Sequence, residues 1–105
     1  KWGRIIKGIK EGGIMPAYTI ATHPVKHFET WKAAFDGALE IRQAAGELSA
    51  IVLRGDDDDN QVTVINTWNS LEQAKAMLNN PDMKPMMEAA GVLEFPTIIM
   101  ANSVE

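Results

Sequence analysis

The chain has no cysteine, which removes disulfide scaffolds, Cys-ligated zinc or iron–sulfur centres and thiol nucleophiles from consideration. It has no excess of basic charge: 10 Lys and Arg stand against 14 Asp and Glu, so the electrostatic footprint of a nucleic-acid binder is missing. No apolar run approaches the ~20 residues a membrane span requires, and the first residues lack the uninterrupted apolar stretch of a signal peptide. A cytoplasmic location with no membrane partner is the resulting expectation. There is no Gly-rich phosphate loop and no Ser-centred nucleophile elbow. What remains is a 105-residue chain that is 46% hydrophobic and 7% aromatic, the composition of one small globular domain. A domain of this size buries only roughly 60–65% of its unfolded surface, so oligomerisation would supplement a modest core.

Charge divides the chain in two. Lys1, Arg4, Lys7 and Lys10 against Glu11 give residues 1–14 a net of +3, leaving −7 for the remainder of a chain whose net is −4. Trp2, Ile5, Ile6 and Ile9 keep the spacing of an apolar helical stripe, interrupted by Gly3 and Gly8, and Gly12-Gly13 ends the segment. Met15 follows that pair and reads as a natural start. Residues 1–14 are then either an extension ahead of a domain at 15–105 or a basic amphipathic segment that docks on a surface.

Within the domain, Ala17–Thr22 is rich in strand formers and is closed by Pro24. From Lys26 to Ala45, Phe28, Trp31, Phe35, Ala38 or Leu39, Arg42 and Ala45 recur at three- and four-residue steps, which predicts one long amphipathic helix ending at Gly46. Leu48–Arg54 and Gln61–Trp68 read as strands joined by the turn-forming Gly55-Asp56-Asp57-Asp58-Asp59-Asn60. That acidic run lacks the spaced ligands of a calcium loop. Ser70 and Gln73 make a capping box for a second helix carrying Leu71, Ala74 and Leu78. Asn80-Pro81 interrupts it, a short helical piece spans Asp82–Ala90, and Phe95–Met100 is a last strand with Pro96 marking a sheet edge. Strand, helix, strand, strand, helix, strand is the α+β, ferredoxin-like βαββαβ order: a four-stranded antiparallel sheet with two helices on one face. The other face has no element left to cover it, which predicts a homodimer packed sheet to sheet.

Several separated motifs carry a family resemblance. The run from His23 to Asp36, the Arg42-Gln43-Ala44-Ala45-Gly46 that follows, the strand ending in Thr67-Trp68 and the tail from Met86 to Val92 resemble the dimeric α+β barrel superfamily. The likeness is to its small single-domain members related to antibiotic-biosynthesis monooxygenase-like proteins. It implies a homodimeric small-molecule binder, with a cofactor-independent oxygenase or isomerase acting on an aromatic or polyketide-like metabolite as the reaction class. The rival reading is a non-catalytic dimeric binding or interaction module. Two departures bear on chemistry. Gly37-Ala38 stands where related members carry a histidine after the Phe-Asp pair, and Met86-Met87 occupies the region of the haem-binding histidine of the haem-degrading branch, so no haem, metal or other cofactor is expected.

Candidate site residues follow from both readings. His23, near the strand-to-helix switch, is a candidate acid or base, with a helix cap or a solvent-facing position as the alternatives. His27 and Glu29 near it allow a metal site that the interrupted spacing disfavours. Asn66 and Trp68 share one face of a strand, where the amide needs a partner, either a ligand oxygen or a backbone or dimer contact; the resemblance to cofactor-free oxygenases makes them, with His23, the catalytic candidates. Tyr18, Trp31 and Phe35 supply aromatic surface for a ligand. Arg42, on an otherwise apolar stripe, either snorkels past the helix end or reaches a pocket and binds a carboxylate. Met83 and Met87 line an adaptable apolar pocket, core filling being the alternative for all the apolar members.

Overall fold

The computed structural model describes residues 16–104. The stripe of Trp2, Ile5, Ile6 and Ile9, and the boundary read at 14 and 15, lie outside the described residues. Within them the elements run β1 (Ala17–Pro24), α1 (Phe28–Gly37), α2 (Leu39–Ala44), β2 (Glu47–Arg54), β3 (Gln61–Trp68), α3 (Leu71–Leu78), α4 (Met83–Ala89) and β4 (Thr97–Asn102). The strands form one antiparallel sheet in the order β2-β3-β1-β4. This is the ferredoxin-like arrangement, with the helical layer on one face.

The predicted helix over 26–45 breaks into two. After Gly37 the chain leaves helical geometry at Ala38 (φ −94°, ψ 12°), whose N–H turns back to the Phe35 carbonyl at 3.2 Å. That carbonyl also accepts from Nη1 of Arg42, so the break folds the Arg42 side chain inward beneath α1. The start of α1 is capped from a distance: the Phe28 N–H donates to Oδ1 of Asn60 in the β2–β3 loop, at 3.0 Å. Ser70 caps α3 as its sequence indicates, Oγ accepting from the Gln73 N–H at 3.1 Å.

Strand limits shift for simple reasons. β1 runs two residues past the predicted end, because His23 and Pro24 still pair with Val62 and Gln61. β4 begins only at Thr97, since Pro96 has no N–H for the ladder, and it lies at the sheet edge. β2 begins at Glu47 rather than Leu48 and carries a bulge between Glu47 and Ser49. Two residues apart on a regular strand point the same way; here Glu47 sits opposite Trp68 and Ser49 opposite Thr67, on opposite faces. The bulge therefore turns Glu47 in towards the helices and leaves Leu48 exposed.

The hydrophobic core is divided. One cluster gathers Val25, Trp31, Val62 and Val64 near the hairpin end; the other gathers Ala17, Trp68 and Ala74 near the opposite end. Between them the facing side chains are small, with Ala21 below and Ala34, Ala38 and Ala90 above, and the layers do not close. The outer face of the sheet is open. A row of four isoleucines, Ile51, Ile65, Ile20 and Ile99, crosses all four strands in register, the two edge members being 55% and 57% exposed.

Candidate functional site

The gap between the two core clusters is a cavity of about 400 Å³, far larger than the voids of a close-packed interior. Its floor is the helix-facing row of β1 and β3; its roof is α1 and the methionines of α3 and α4. Trp31 and Phe35, four residues apart on α1, stack with ring centroids 5.0 Å apart. His23 meets Trp31 edge-on at 5.5 Å, and the Arg42 guanidinium lies 3.7 Å from the centre of the Phe35 ring. An aromatic wall thus runs from an imidazole at one end to a guanidinium at the other.

The two ends differ in chemistry. At one end a continuous hydrogen-bonded chain begins at Trp68, whose Nε1–H donates to Thr19 Oγ1 at 2.9 Å. Thr19 donates to Asn66 Oδ1 at 3.3 Å, and Asn66 Nδ2 donates to Glu47 Oε1 at 2.7 Å. Glu47 receives Arg42 Nε on both carboxylate oxygens, at 3.0 and 3.1 Å. Arg42 is 7% exposed and Glu47 6%. A buried ion pair needs further polar contacts to offset its desolvation, and here Asn66 engages one Glu47 oxygen and the Phe35 carbonyl engages Nη1 of Arg42. The chain also fixes the Asn66 amide, because only its NH₂ group can face an acceptor-only carboxylate.

The other end holds His23, four residues along β1 from Thr19 and so roughly 13 Å away at the rise of a strand. It is 6% exposed, and Nδ1 is buried with no hydrogen-bond partner. Burial pushes the imidazole below its ordinary value of 6.5, outweighing the opposing contact with the Pro24 backbone. The ring is therefore neutral at neutral pH.

The structure brings eight of the nine sequence candidates to this cavity: His23, Asn66, Trp68, Trp31, Phe35, Arg42, Met83 and Met87 all line it. Tyr18 stands apart, paired between Thr67 and Ala101 on the open face of the sheet, because side chains alternate and Thr19 takes the inward place. Arg42 does not snorkel; it is buried, and the carboxylate it binds is Glu47 of its own chain. His27 is exposed ahead of α1, and no group of three or more potential metal ligands converges among the described residues. Sequence reasoning missed Glu47 and Thr19. Thr19 is visible in the β1 alternation, whereas regular alternation from Ser49 would place Glu47 outside.

The family model for antibiotic biosynthesis monooxygenase matches residues 19–89, which include every member of the hydrogen-bonded chain. The chain belongs to this family. Its fold is similar to that of a Bordetella bronchiseptica protein named as a candidate antibiotic biosynthesis monooxygenase, with a TM-score of 0.71 at 14% identity, covering 87% of this chain and 99% of that one. A Caulobacter crescentus protein of like description gives 0.68 at 17% identity over 88% and 92%. SnoaB from Streptomyces nogalater, described as a cofactor-independent oxygenase, gives 0.63 at 16% identity over 87% and 93%. No curated protein matches the chain. At these identities the likeness carries the fold, and the family membership carries a monooxygenase-like, small-molecule-binding role.

Proposed function

We propose that this protein is a homodimeric, cofactor-independent oxygenase acting on an aromatic, polyketide-like metabolite in the cytoplasm. The observation that carries the reading is the cavity: apolar along its length, walled by stacked Trp31 and Phe35, and ended by a fixed Asn66 amide. The description of SnoaB, a neighbour in fold, agrees with the same chemistry. In such a reaction the deprotonated substrate supplies electrons to dioxygen, and the protein supplies a base, a donor for the developing oxyanion and exclusion of water. His23, neutral and with Nδ1 unpartnered, is suited to take the proton. The second N–H of Asn66, not used by Glu47, is suited to the oxyanion. Trp68 acts at one remove, since its only polar hydrogen is given to Thr19.

The isoleucine row supports the dimer. Four large apolar side chains in one line on an open sheet face form a surface that a second copy would bury.

The test is oxygen uptake with a hydroxylated anthrone as probe. Turnover places one atom of dioxygen on the methylene carbon as a carbonyl and releases the other as water. Protein-dependent oxygen consumption with formation of the quinone is the expected result. A rate equal to the protein-free control across anthrones and naphthols of graded size would leave binding without oxygenation.

A further inference from the structure

We propose that Glu47 sets the charge selectivity of the cavity: by cancelling Arg42 it makes the polar end admit an uncharged aromatic ligand and refuse a carboxylate. The inference rests on the reading of the cavity as a ligand site and names the class of ligand it takes.

Arg42 and Glu47 are the only fully charged side chains among the described residues that line the cavity. Alone, Arg42 would make this end an anion site: a guanidinium seated on the Phe35 ring, shielded from water, with donors in a planar fork. Glu47 removes that capacity in two ways. Its two oxygens occupy Nε, leaving Nη2 as the guanidinium nitrogen with no partner among the described residues. Its negative charge also lies within 2.7 Å of Asn66 Nδ2, the amide a ligand oxygen would approach. A ligand carboxylate, charged on entry, would meet a like charge there in a medium that screens poorly, whereas a phenol or carbonyl enters uncharged and its oxygen gains charge only as His23 takes the proton. The neutral imidazole of His23 adds no charge at the far end.

A local feature of the backbone makes the arrangement. Only the bulge between Glu47 and Ser49 turns this carboxylate inward, and the opposing Trp68 and neighbouring Asn66 hold it there. A neutral glutamine keeps the shape and hydrogen-bonding reach of the side chain and deletes its charge.

The experiment is equilibrium dialysis of the full chain with 1-naphthol and 1-naphthoate, which share a ring system and differ in charge at neutral pH. Wild type is expected to bind the naphthol at least roughly tenfold more tightly. Glu47→Gln is expected to raise naphthoate affinity at least roughly tenfold, by a charge-assisted bond to the released guanidinium, with naphthol nearly unchanged. The double variant Arg42→Gln/Glu47→Gln, neutral throughout, returns to the wild-type preference. If Glu47→Gln does not fold, Arg42→Gln carries the test: it leaves a bare carboxylate and should gain affinity for 1-naphthylmethylammonium. Equal binding of naphthol and naphthoate by wild type, or no gain of the matching ion by either single variant, overturns the proposal and leaves the cavity reading standing. Failure of every ring probe to bind any form overturns both.

Discussion

Nδ2 of Asn66 donates to Oε1 of Glu47 at 2.7 Å, between the two strands that form one edge of the sheet and 19 positions apart in the chain. This bond joins the aromatic end of the site, Trp68 and Thr19, to the Arg42–Glu47 ion pair, so one buried chain sets the orientation of every polar group at that end.

Asn66→Ala should lower oxygen-dependent turnover by roughly 10²-fold while the protein stays folded, since it removes one donor for a developing oxyanion. Trp68→Phe keeps most of the packing and deletes the donor to Thr19, so a smaller fall is expected. Steady-state oxygen uptake beside circular dichroism separates the two effects; loss of fold in both variants would make these residues structural.

Breaking the ion pair from one side should be costly. Arg42→Met strands a buried carboxylate and is expected to destabilise the fold by about 3–5 kcal/mol in urea unfolding, whereas Arg42→Met with Glu47→Leu should recover much of the loss. A double variant no more stable than the single would mean that the pair is solvated.

Ile65 occupies the second place in the isoleucine row, between Ile51 and Ile20. Ile65→Lys should convert a dimer to a folded monomer in light scattering, because a lysine at that position would be buried against the facing sheet. A persisting dimer would move the interface elsewhere.

The buried imidazole has a consequence for acid stability. His23 has a folded pKa below its ordinary 6.5, so under that pH the unfolded chain binds more protons than the folded one, and stability falls as pH is lowered. His23→Leu should flatten this limb of the melting-temperature profile just below pH 6.5. An unchanged slope would show that carboxylates alone account for it.

The ferredoxin-like order was legible because each element carries a local signal: alternation in β3, the Ser70 cap, the Asn80-Pro81 interruption and the turn chemistry of residues 55–60. Shared faces were legible too, since alternation groups Asn66 with Trp68 and helical spacing groups Trp31 with Phe35. Tyr18 went astray by one position of alternation, and Arg42 was left between two fates because its partner was unseen.

By itself the sequence determined the strands and helices, their order, the shared face of Asn66 and Trp68 and the shared stripe of Trp31 and Phe35, all consequences of periodicity along the chain, whereas the inward placement of His23 came only with the longer β1. Only the tertiary structure decided that the long helix breaks at Ala38, that a bulge turns Glu47 inward, and that the two core clusters leave a hollow between them. Those three outcomes depend on how separated segments meet: a guanidinium from one helix seeks a carboxylate from a strand, and small side chains on opposed layers fail to fill the space between them.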